Sequence, residues 1–202
     1  MKIVIASGNQ GKIKEFQTLL PSFDVLTFKE LLGDMDIIED GSTFQANAII
    51  KAKTIQEKLK QKYKNENFLV ISDDSGISVK ELNFEPNIYS ARYAGINSTD
   101  KQNNEKLIKN LKLKNLESSD AFYTACIAIS YNDDIFTTHG WMHGKVITQE
   151  RGTNGFGYDP LFIPQGNTKT LGELEFTYKK ELSHRTKALA LAMLIVNKIL
   201  NK

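Results

Sequence analysis

The sequence has one cysteine and no long apolar segment in its 202 residues. The lone Cys126 cannot form an internal disulfide, and it excludes a Cys-x-x-Cys redox or zinc site. The four apolar residues after Lys2 are too few for a signal peptide. The longest apolar run, from Ala188 to Val196, is about half of the ~18–20 residues that a membrane span needs. We therefore expect a cytoplasmic protein with no membrane partner and a buried Cys126.

An excess of charge of one sign is also missing. The 26 basic residues nearly balance the 24 acidic ones, which leaves a formal net charge of +2. This balance argues against nucleic acid as a partner, so any anion must be bound by local chemistry. Arginine is rare, with only Arg92, Arg151 and Arg185. Each of them is a candidate for a task that needs a planar fork of donors.

Segments typical of strands and helices alternate along the chain. Short apolar runs at 3–6 and 68–72 predict strands buried on both faces. The strict alternation over 121–131 predicts a half-exposed strand, and 135–147 is its expected hairpin partner. Ser42 with Gln45 predicts a capping box that opens a helix. Together these patterns predict an α/β fold with a mixed central sheet and flanking helices.

The loop Ser7-Gly8-Asn9-Gln10-Gly11-Lys12 joins the first strand to a helix. Backbone amides at such a turn and a lysine in the first helical turn form an anion site suited to phosphate. The spacing does not fit a Walker A motif, which needs four residues between its first glycine and the Gly-Lys pair. On this motif alone, a tight turn with an incidental lysine is an equally good interpretation.

Asp73-Asp74-Ser75-Gly76 directly follows the predicted strand at 68–72, where open α/β sheets place their ligands. Such carboxylates could hold Mg²⁺ or activate a water, and a solvated turn is the alternative. Successive side chains of an extended chain point to opposite sides, so we expect the two acids to differ in role. Asn47 and Lys51 lie one helical turn apart and could point at the same place.

Two further segments carry unusual residues. Glycines flank Phe156 in the run from Gly152 to Pro160, and they would allow its ring to stack on a planar ligand. An ordinary turn with a core aromatic is the alternative. Ser183-His184-Arg185 opens a predicted helix, where a positive charge is unfavourable unless an acceptor compensates it. A surface capping segment is the alternative there.

Taken together, the segments resemble the inosine triphosphate pyrophosphatase family, which hydrolyses non-canonical purine nucleoside triphosphates. The matching segments are SGNQGKIKE (7–15), EDGSTFQANAIIKA (39–52), SDDSG (72–76), IYSARYAG (88–95), GFGYDPLF (155–162) and SHR (183–185). They occur in the order of the family and extend over nearly the whole chain. Six segments in register are far more specific than any one of them.

The resemblance implies a role for each matched position. The triphosphate would be bound by Ser7, Gly8, Asn9, Gln10, Gly11 and Lys12, with Lys51 as a helper. Asp74 would be the catalytic proton acceptor and, with Glu39, a ligand of Mg²⁺. Ser75, Phe156, Gly157, Tyr158, Asp159, Lys179, His184 and Arg185 would contact the rest of the substrate, the last two reading the purine edge. Asp40 for Glu39 and Lys180 for Lys179 stay open as alternatives.

The resemblance also implies the reaction and the assembly. ITP, dITP or XTP would be cleaved to the monophosphate and pyrophosphate by attack of water at the α-phosphorus. Residues 1–202 would form one domain with two lobes enclosing a nucleotide cleft, and the protein would be a homodimer. Two other functions stay open: a Maf-like pyrophosphatase for modified nucleotides, against which the SHR segment argues, and a nucleotide-binding regulator without catalysis.

Overall fold

The computed structural model describes residues 2–20 and 23–200. The strands are β1 (Lys2–Ile5), β2 (Val25–Thr27), β3 (Phe68–Val79), β4 (Ser118–Tyr131), β5 (Asp134–Ile147) and β6 (Phe162–Pro164). The α-helices are α1 (Gln10–Leu19), α2 (Phe28–Leu32), α3 (Phe44–Lys62), α4 (Asp100–Leu113), α5 (Phe176–Leu182) and α6 (His184–Leu200). Short 3₁₀ helices cover Lys80–Leu82, Asn87–Arg92 and Leu171–Glu173.

The strands form one mixed sheet. In the described residues its strand order is β2-β1-β3-β4-β5-β6. β1 pairs in parallel with β2 and with β3, whereas β6 runs antiparallel to β5. Because β2 and β3 lie on opposite sides of β1, the order reverses at β1, and the loop after β1 is where such a sheet binds ligands. The predicted α/β fold with a mixed central sheet is confirmed.

Two strands differ from their predictions. The strand at 68–72 does not end before the acidic pair but continues to Val79. Its parallel partner β1 pairs only as far as Ile71, so Asp73 and Asp74 still lie beyond the end of the parallel ladder. In the strand over 121–131, every residue from Tyr123 to Ser130 is buried, so both faces are covered there. The prediction of a half-exposed strand was therefore wrong, because the rest of the protein covers both faces of the sheet along this part of β4.

The N-cap of helix α3 lies one residue later in the chain than predicted. Thr43, and not Ser42, is the N-cap: its backbone is extended and its side chain accepts a hydrogen bond from the amide of Ala46 at 3.0 Å. Gln45 is not part of a capping box, since its amide donates to Thr137 Oγ1 at 2.9 Å. The helix then buries an apolar stripe that includes Ala48, Ala52, Ile55 and Leu59, as its spacing predicts.

The chain divides into two compact units by its contacts. The first unit comprises Met1–Asp74, Cys126–His139 and Ala188–Lys202, and the second comprises Ser75–Ala125 and Gly140–Lys187. In the first unit, Cys126 is fully buried as predicted, and burial raises the pKa of its thiol to about 12. The second unit has a core of its own, in which Ile77, Leu107 and Phe162 are completely buried.

No helix in the described part of the chain is both long enough and apolar enough to cross a membrane. The longest apolar run belongs to α6, where Ala188, Leu189, Ala192 and Val196 face the interior.

The corrected position of the α3 cap leads to a prediction. Replacing Thr43 with alanine should lower the free energy of unfolding by about 1 kcal/mol, because the first turn loses its side-chain acceptor. Urea-induced unfolding followed by circular dichroism measures the change. The matched control is Ser42→Ala, which leaves the cap intact and should stay within about 0.5 kcal/mol of the parent protein. A larger loss for Ser42→Ala than for Thr43→Ala would contradict the assignment.

Candidate active site

The loop after β1 forms the N-terminus of α1. Asn9 caps this helix, since its Oδ1 accepts from the amide of Lys12 at 3.0 Å, and its own amide donates to Ser7 Oγ at 3.2 Å. The amides of the first helical turn have no partner within the helix. With the positive end of the helix dipole they favour an anion at this position. The loop is anchored by the amide of Ala6, which donates to the carbonyl of Ile71 on β3 at 2.8 Å.

The two neighbouring acids of β3 contact different helices. Asp73 is completely buried at its side chain and lies 2.7 Å from the ammonium of Lys12 on α1. Asp74 Oδ1 lies 3.3 Å from Lys51 Nζ, and its Oδ2 accepts from Asn47 Nδ2 at 3.2 Å. Side chains that alternate along a strand explain this division. It agrees with the expectation that the two acids differ, and Asn47 and Lys51 do point at the same place.

Lys51 also connects Asp74 to the acidic loop before α3. Its ammonium lies 2.8 Å from Glu39 Oε2, so Glu39 and Asp74 approach the same cation. Asp40 is exposed, and the geometry therefore favours Glu39 as the second acid of this cluster. The loop is held in place by Asn47, whose Oδ1 accepts from the amide of Gly41 at 2.8 Å.

Burial and neighbouring charges shift the pKa values of the central pair. Burial raises the pKa of Asp74 above its ordinary value, and Lys51 and Lys12 oppose that shift only in part. Burial lowers the pKa of Lys51, but the charges of Asp74 and Glu39 outweigh it and the net shift is upward. The lysine therefore stays cationic, while the carboxylate is a stronger base than an exposed aspartate.

In the second unit, the aromatic ring of Phe156 lies close to two cations. Lys179 Nζ lies 5.7 Å and Arg185 Cζ 5.4 Å from the centre of the ring. The carboxylate of Asp159 forms an ion pair with Lys179 and accepts from the amide of Phe156 at 3.0 Å. Burial raises the pKa of Asp159, and the charge of Lys179 opposes this. These contacts favour Lys179 over Lys180 as the lysine of this site.

The start of α6 holds the predicted pair His184 and Arg185. Ser183 caps this helix, since its Oγ accepts from the amides of Arg185 and Thr186 at 3.2 and 3.4 Å. The His184 ring stacks on Tyr123, with centroids 4.8 Å apart and planes at 13°. Arg185 donates to Ser75 Oγ at 2.8 Å. Both side chains are thus oriented by neighbours within the second unit.

Several contacts of the Phe156 loop come from residues that the sequence patterns did not single out. The carboxylate of Asp100 accepts from the amide of Gly157 at 2.6 Å, and Asn104 Nδ2 donates to the Gly157 carbonyl at 3.1 Å. The hydroxyl of Tyr158 donates to the carbonyl of Ser90 at 2.8 Å. Ser90 lies in one of the matched segments, but nothing in the spacing of Asp100 or Asn104 indicates a contact with a loop more than fifty residues away.

Arg151, which had no predicted role, holds the base of the same loop. It donates from a guanidinium nitrogen to the carbonyl of Thr168 at 2.9 Å, and its Nε lies 3.4 Å from the carboxylate of Glu173. Its amide donates to the carbonyl of Pro160 at 2.9 Å and so closes the ends of the loop. These contacts give Arg151 a structural role.

Comparison with known proteins identifies the family. A profile of the Ham1 family matches residues 3–194. The chain is 58% identical over 200 residues to the dITP/XTP pyrophosphatase of Aliarcobacter butzleri, with 99% of this chain and 100% of that protein covered. It is 54% identical over 202 residues to the dITP/XTP pyrophosphatase of a Sulfurovum species, with 100% and 96% covered.

Solved structures agree with this assignment. The Ham1 protein of Staphylococcus aureus is 39% identical with a TM-score of 0.83, and 98% of this chain and 99% of that one are covered. The HAM1 protein of Coxiella burnetii is 33% identical with a TM-score of 0.86, again over 98% and 99% of the two chains. The resemblance predicted from six segments is confirmed, and the chain belongs to the Ham1 family.

Proposed function

We propose that this protein is a pyrophosphatase for non-canonical purine nucleoside triphosphates. It cleaves ITP, dITP and XTP to the nucleoside monophosphate and pyrophosphate and so removes them from the nucleotide pool. The observation that carries the proposal is a pair of buried carboxylates after the phosphate-type helix N-terminus: Asp73 lies 2.7 Å from Lys12 of that helix, and Asp74 lies 3.3 Å from Lys51. The names of the relatives support the substrate class.

The charges of the cluster support a divalent cation as cofactor. Two ammonium groups, Lys12 and Lys51, stand against three carboxylates, Glu39, Asp73 and Asp74, which sums to −1 when all are ionised. A triphosphate adds about four negative charges and would be repelled without a further cation. Among the described residues no three His, Cys, Asp or Glu side chains converge as a complete metal cage. Mg²⁺ suits such a site, since it is commonly held by one or two carboxylates together with phosphates and waters.

Glu39 and Asp74 would hold this ion, because their carboxylates approach each other at the ammonium of Lys51 from a loop and from β3. When bound, Mg²⁺ would neutralise phosphate charge and polarise the phosphorus–oxygen bonds. Lys12 and the amides of Ser7, Gly8, Asn9, Gln10 and Gly11 would bind the phosphates, with Lys51 adding a second cation. The triphosphate loop is thus assigned to the first unit.

Asp74 orients the attacking water and accepts its proton. Attack at the α-phosphorus releases pyrophosphate in one step, whereas attack at the γ-phosphorus would release orthophosphate. Asn47 and Lys51 hold the two oxygens of Asp74 and so fix the direction in which it accepts the proton. The raised pKa of Asp74 makes it a stronger base than an exposed aspartate.

The second unit carries the groups that would read the purine. Phe156 offers a ring for stacking, while Arg185 and His184 offer donors to the 6-oxo group of hypoxanthine or xanthine. Adenine presents an amino group there and would leave these donors without an acceptor, which is costly in a buried site. Ser75, Gly157, Tyr158, Asp159 and Lys179 complete this assignment.

A Maf-like pyrophosphatase for modified nucleotides and a regulator without catalysis are the rival functions. A regulator has no need for a buried Asp74 that the side-chain amide of Asn47 orients, and a Maf-like enzyme has no need for the SHR segment.

We also propose that the protein acts in the cytoplasm and as a homodimer. Exposed aromatic side chains of the second unit, among them Phe84 and Trp141, support association. Light scattering would give twice the mass of one chain.

The function is tested by measuring the products from a panel of nucleotides. Phosphate is measured with and without added inorganic pyrophosphatase, for ITP, dITP, XTP, GTP, dUTP and ATP. We expect phosphate from ITP, dITP and XTP only when pyrophosphatase is added. Phosphate without the added enzyme would indicate γ-phosphate hydrolysis. Turnover of dUTP in preference to the purines would favour the Maf-like function, and no turnover at all would favour a regulator.

The Asp74→Asn variant tests the proton acceptor. Asparagine keeps the shape and the bond from Asn47 but cannot accept a proton, so kcat for dITP should fall by about 10²- to 10⁴-fold. Binding of dITP, measured by calorimetry, should persist. The surface variant Asp133→Asn controls for loss of an aspartate and should keep full activity, because Asp133 is fully exposed and pairs with exposed Lys60. Near-normal turnover by Asp74→Asn would refute the assignment.

The Arg185→Lys variant tests recognition of the base. Lysine keeps the charge but loses the planar fork and the geometry of the bond to Ser75. The preference for ITP over ATP, measured as the ratio of kcat/KM values, should drop by about tenfold. Arg92→Lys is the control, because the Arg92 guanidinium lies on the ring of Tyr89 at 5.1 Å in another segment. An unchanged preference in Arg185→Lys would rule out this role.

A further inference from the structure

In the Phe156 loop, Gly157 is hydrogen-bonded at both its amide and its carbonyl to a single turn of α4. The amide of Gly157 donates to Asp100, and its carbonyl accepts from Asn104, at 2.6 and 3.1 Å. Asp100 and Asn104 are four residues apart and therefore lie on the same face of the helix. The two contacts hold the peptide planes that precede and follow the Gly157 Cα. Together they fix both backbone dihedral angles of this residue.

The backbone conformation of Gly157 depends on such hydrogen bonds. It has a φ of +62°, in the left-handed region, and a Cβ added there would meet nothing within 4 Å. Glycine therefore serves the backbone conformation at this position and not a close approach. Because glycine is the most flexible residue when unrestrained, its dihedral angles are set by the bonds it makes. Those bonds come from α4.

The other anchors of the loop lie elsewhere along it. Arg151 and Pro160 close its ends, and the amide of Asn154 donates to the carbonyl of Gly172 at 2.9 Å. Asp159 holds the amide of Phe156 from within the loop. The amide and the carbonyl of Gly157 itself are both hydrogen-bonded to side chains of α4. Phe156 therefore directly precedes a residue that α4 holds from both sides.

Helix α4 is a firm support for these contacts. Thr99 caps it with a complete capping box, in which Gln102 bonds back to the Thr99 amide at 2.8 Å. Leu107 and Leu111 are completely buried in the core of the second unit. Asn104 itself is buried, whereas Asp100 is exposed at the first turn. The core of the second unit therefore holds α4 in place, and α4 in turn holds Gly157.

We infer that Asp100 and Asn104 are positioning residues that set the affinity for the purine by holding the Phe156–Gly157 segment in place. The inference rests on the proposed binding of the base by Phe156. Asp100 and Asn104 belong to the second unit, whereas the phosphate loop and the acidic cluster belong to the first. Loss of the pair should therefore weaken substrate binding without slowing the chemical step.

The Asp100→Ala variant tests this role. The KM for dITP should rise about tenfold, the loss expected for a charged hydrogen bond, while kcat stays within about twofold of the parent enzyme. Inhibition by inorganic triphosphate, which has no base, should be unchanged. Asp100→Asn keeps an acceptor oxygen for the Gly157 amide and should restore KM to within about threefold. A KM within twofold of the parent in Asp100→Ala would overturn the inference.

Thr99→Ala is the matched control on the same helix end. It removes the cap, whose Oγ1 accepts from the Gln102 amide at 3.3 Å, but leaves the Gly157 contacts intact. Its KM for dITP should equal that of the parent enzyme although its thermal stability falls. An equal rise of KM in Thr99→Ala and Asp100→Ala would mean that only helix stability matters, and it would overturn the inference.

A measurement without substrate separates this inference from the proposed function. In the nucleotide-free protein, hydrogen exchange at the Gly157 amide, followed by NMR, should be at least tenfold faster in Asp100→Ala than in the parent. Asp100→Asn should keep the parent rate. If the parent releases no pyrophosphate from any purine nucleotide, the proposed function fails, while these exchange rates still report on the hydrogen bond between Asp100 and Gly157. Equal exchange rates in all three proteins would refute the positioning role of Asp100.

Discussion

The buried ion pair between Lys51 and Asp74 is the interaction on which the arrangement of the first unit depends. An ammonium and a carboxylate so far removed from water are stable only together, since breaking a buried pair costs about 3–5 kcal/mol. The pair therefore fixes the register of α3 against β3. Glu39 joins it from the preceding loop, and Asn47 ties the same loop to Asp74 through Gly41. One charge pair thus connects the acidic loop, α3 and β3.

The same physical rule operates twice more. Lys12 neutralises the fully buried Asp73, which fixes the start of α1 against β3. In the second unit, Asp159 pairs with Lys179 while it accepts the amide of Phe156. In each case a buried carboxylate needs a cation, and the cation comes from an element that must lie close by. The groups that bind substrate in our proposal are therefore also groups that the fold of each unit needs, so these side chains are held in place before any ligand arrives.

The scarcity of arginine acquires a specific meaning in this setting. Each of the three arginines uses the planarity of its guanidinium. Arg92 lies on the ring of Tyr89, Arg151 joins the carbonyl of Thr168 to Glu173, and Arg185 contacts both Ser75 and the Phe156 ring. Lysine, which is abundant elsewhere, serves where a point charge suffices, as Lys12 and Lys51 do beside carboxylates.

The sequence by itself determined the element types, the mixed sheet, the burial of Cys126 and the identity of the matched segments, because these depend on periodicity and local residue chemistry. It placed the end of a strand at Ser72 wrongly, since the continuation of β3 to Val79 depends on a neighbouring strand that no local pattern reveals. It also could not show that Glu39 contacts Lys51, or that Asp100 and Asn104 hydrogen-bond to Gly157. Those contacts join residues distant in the chain, and only tertiary packing decides which side chains meet.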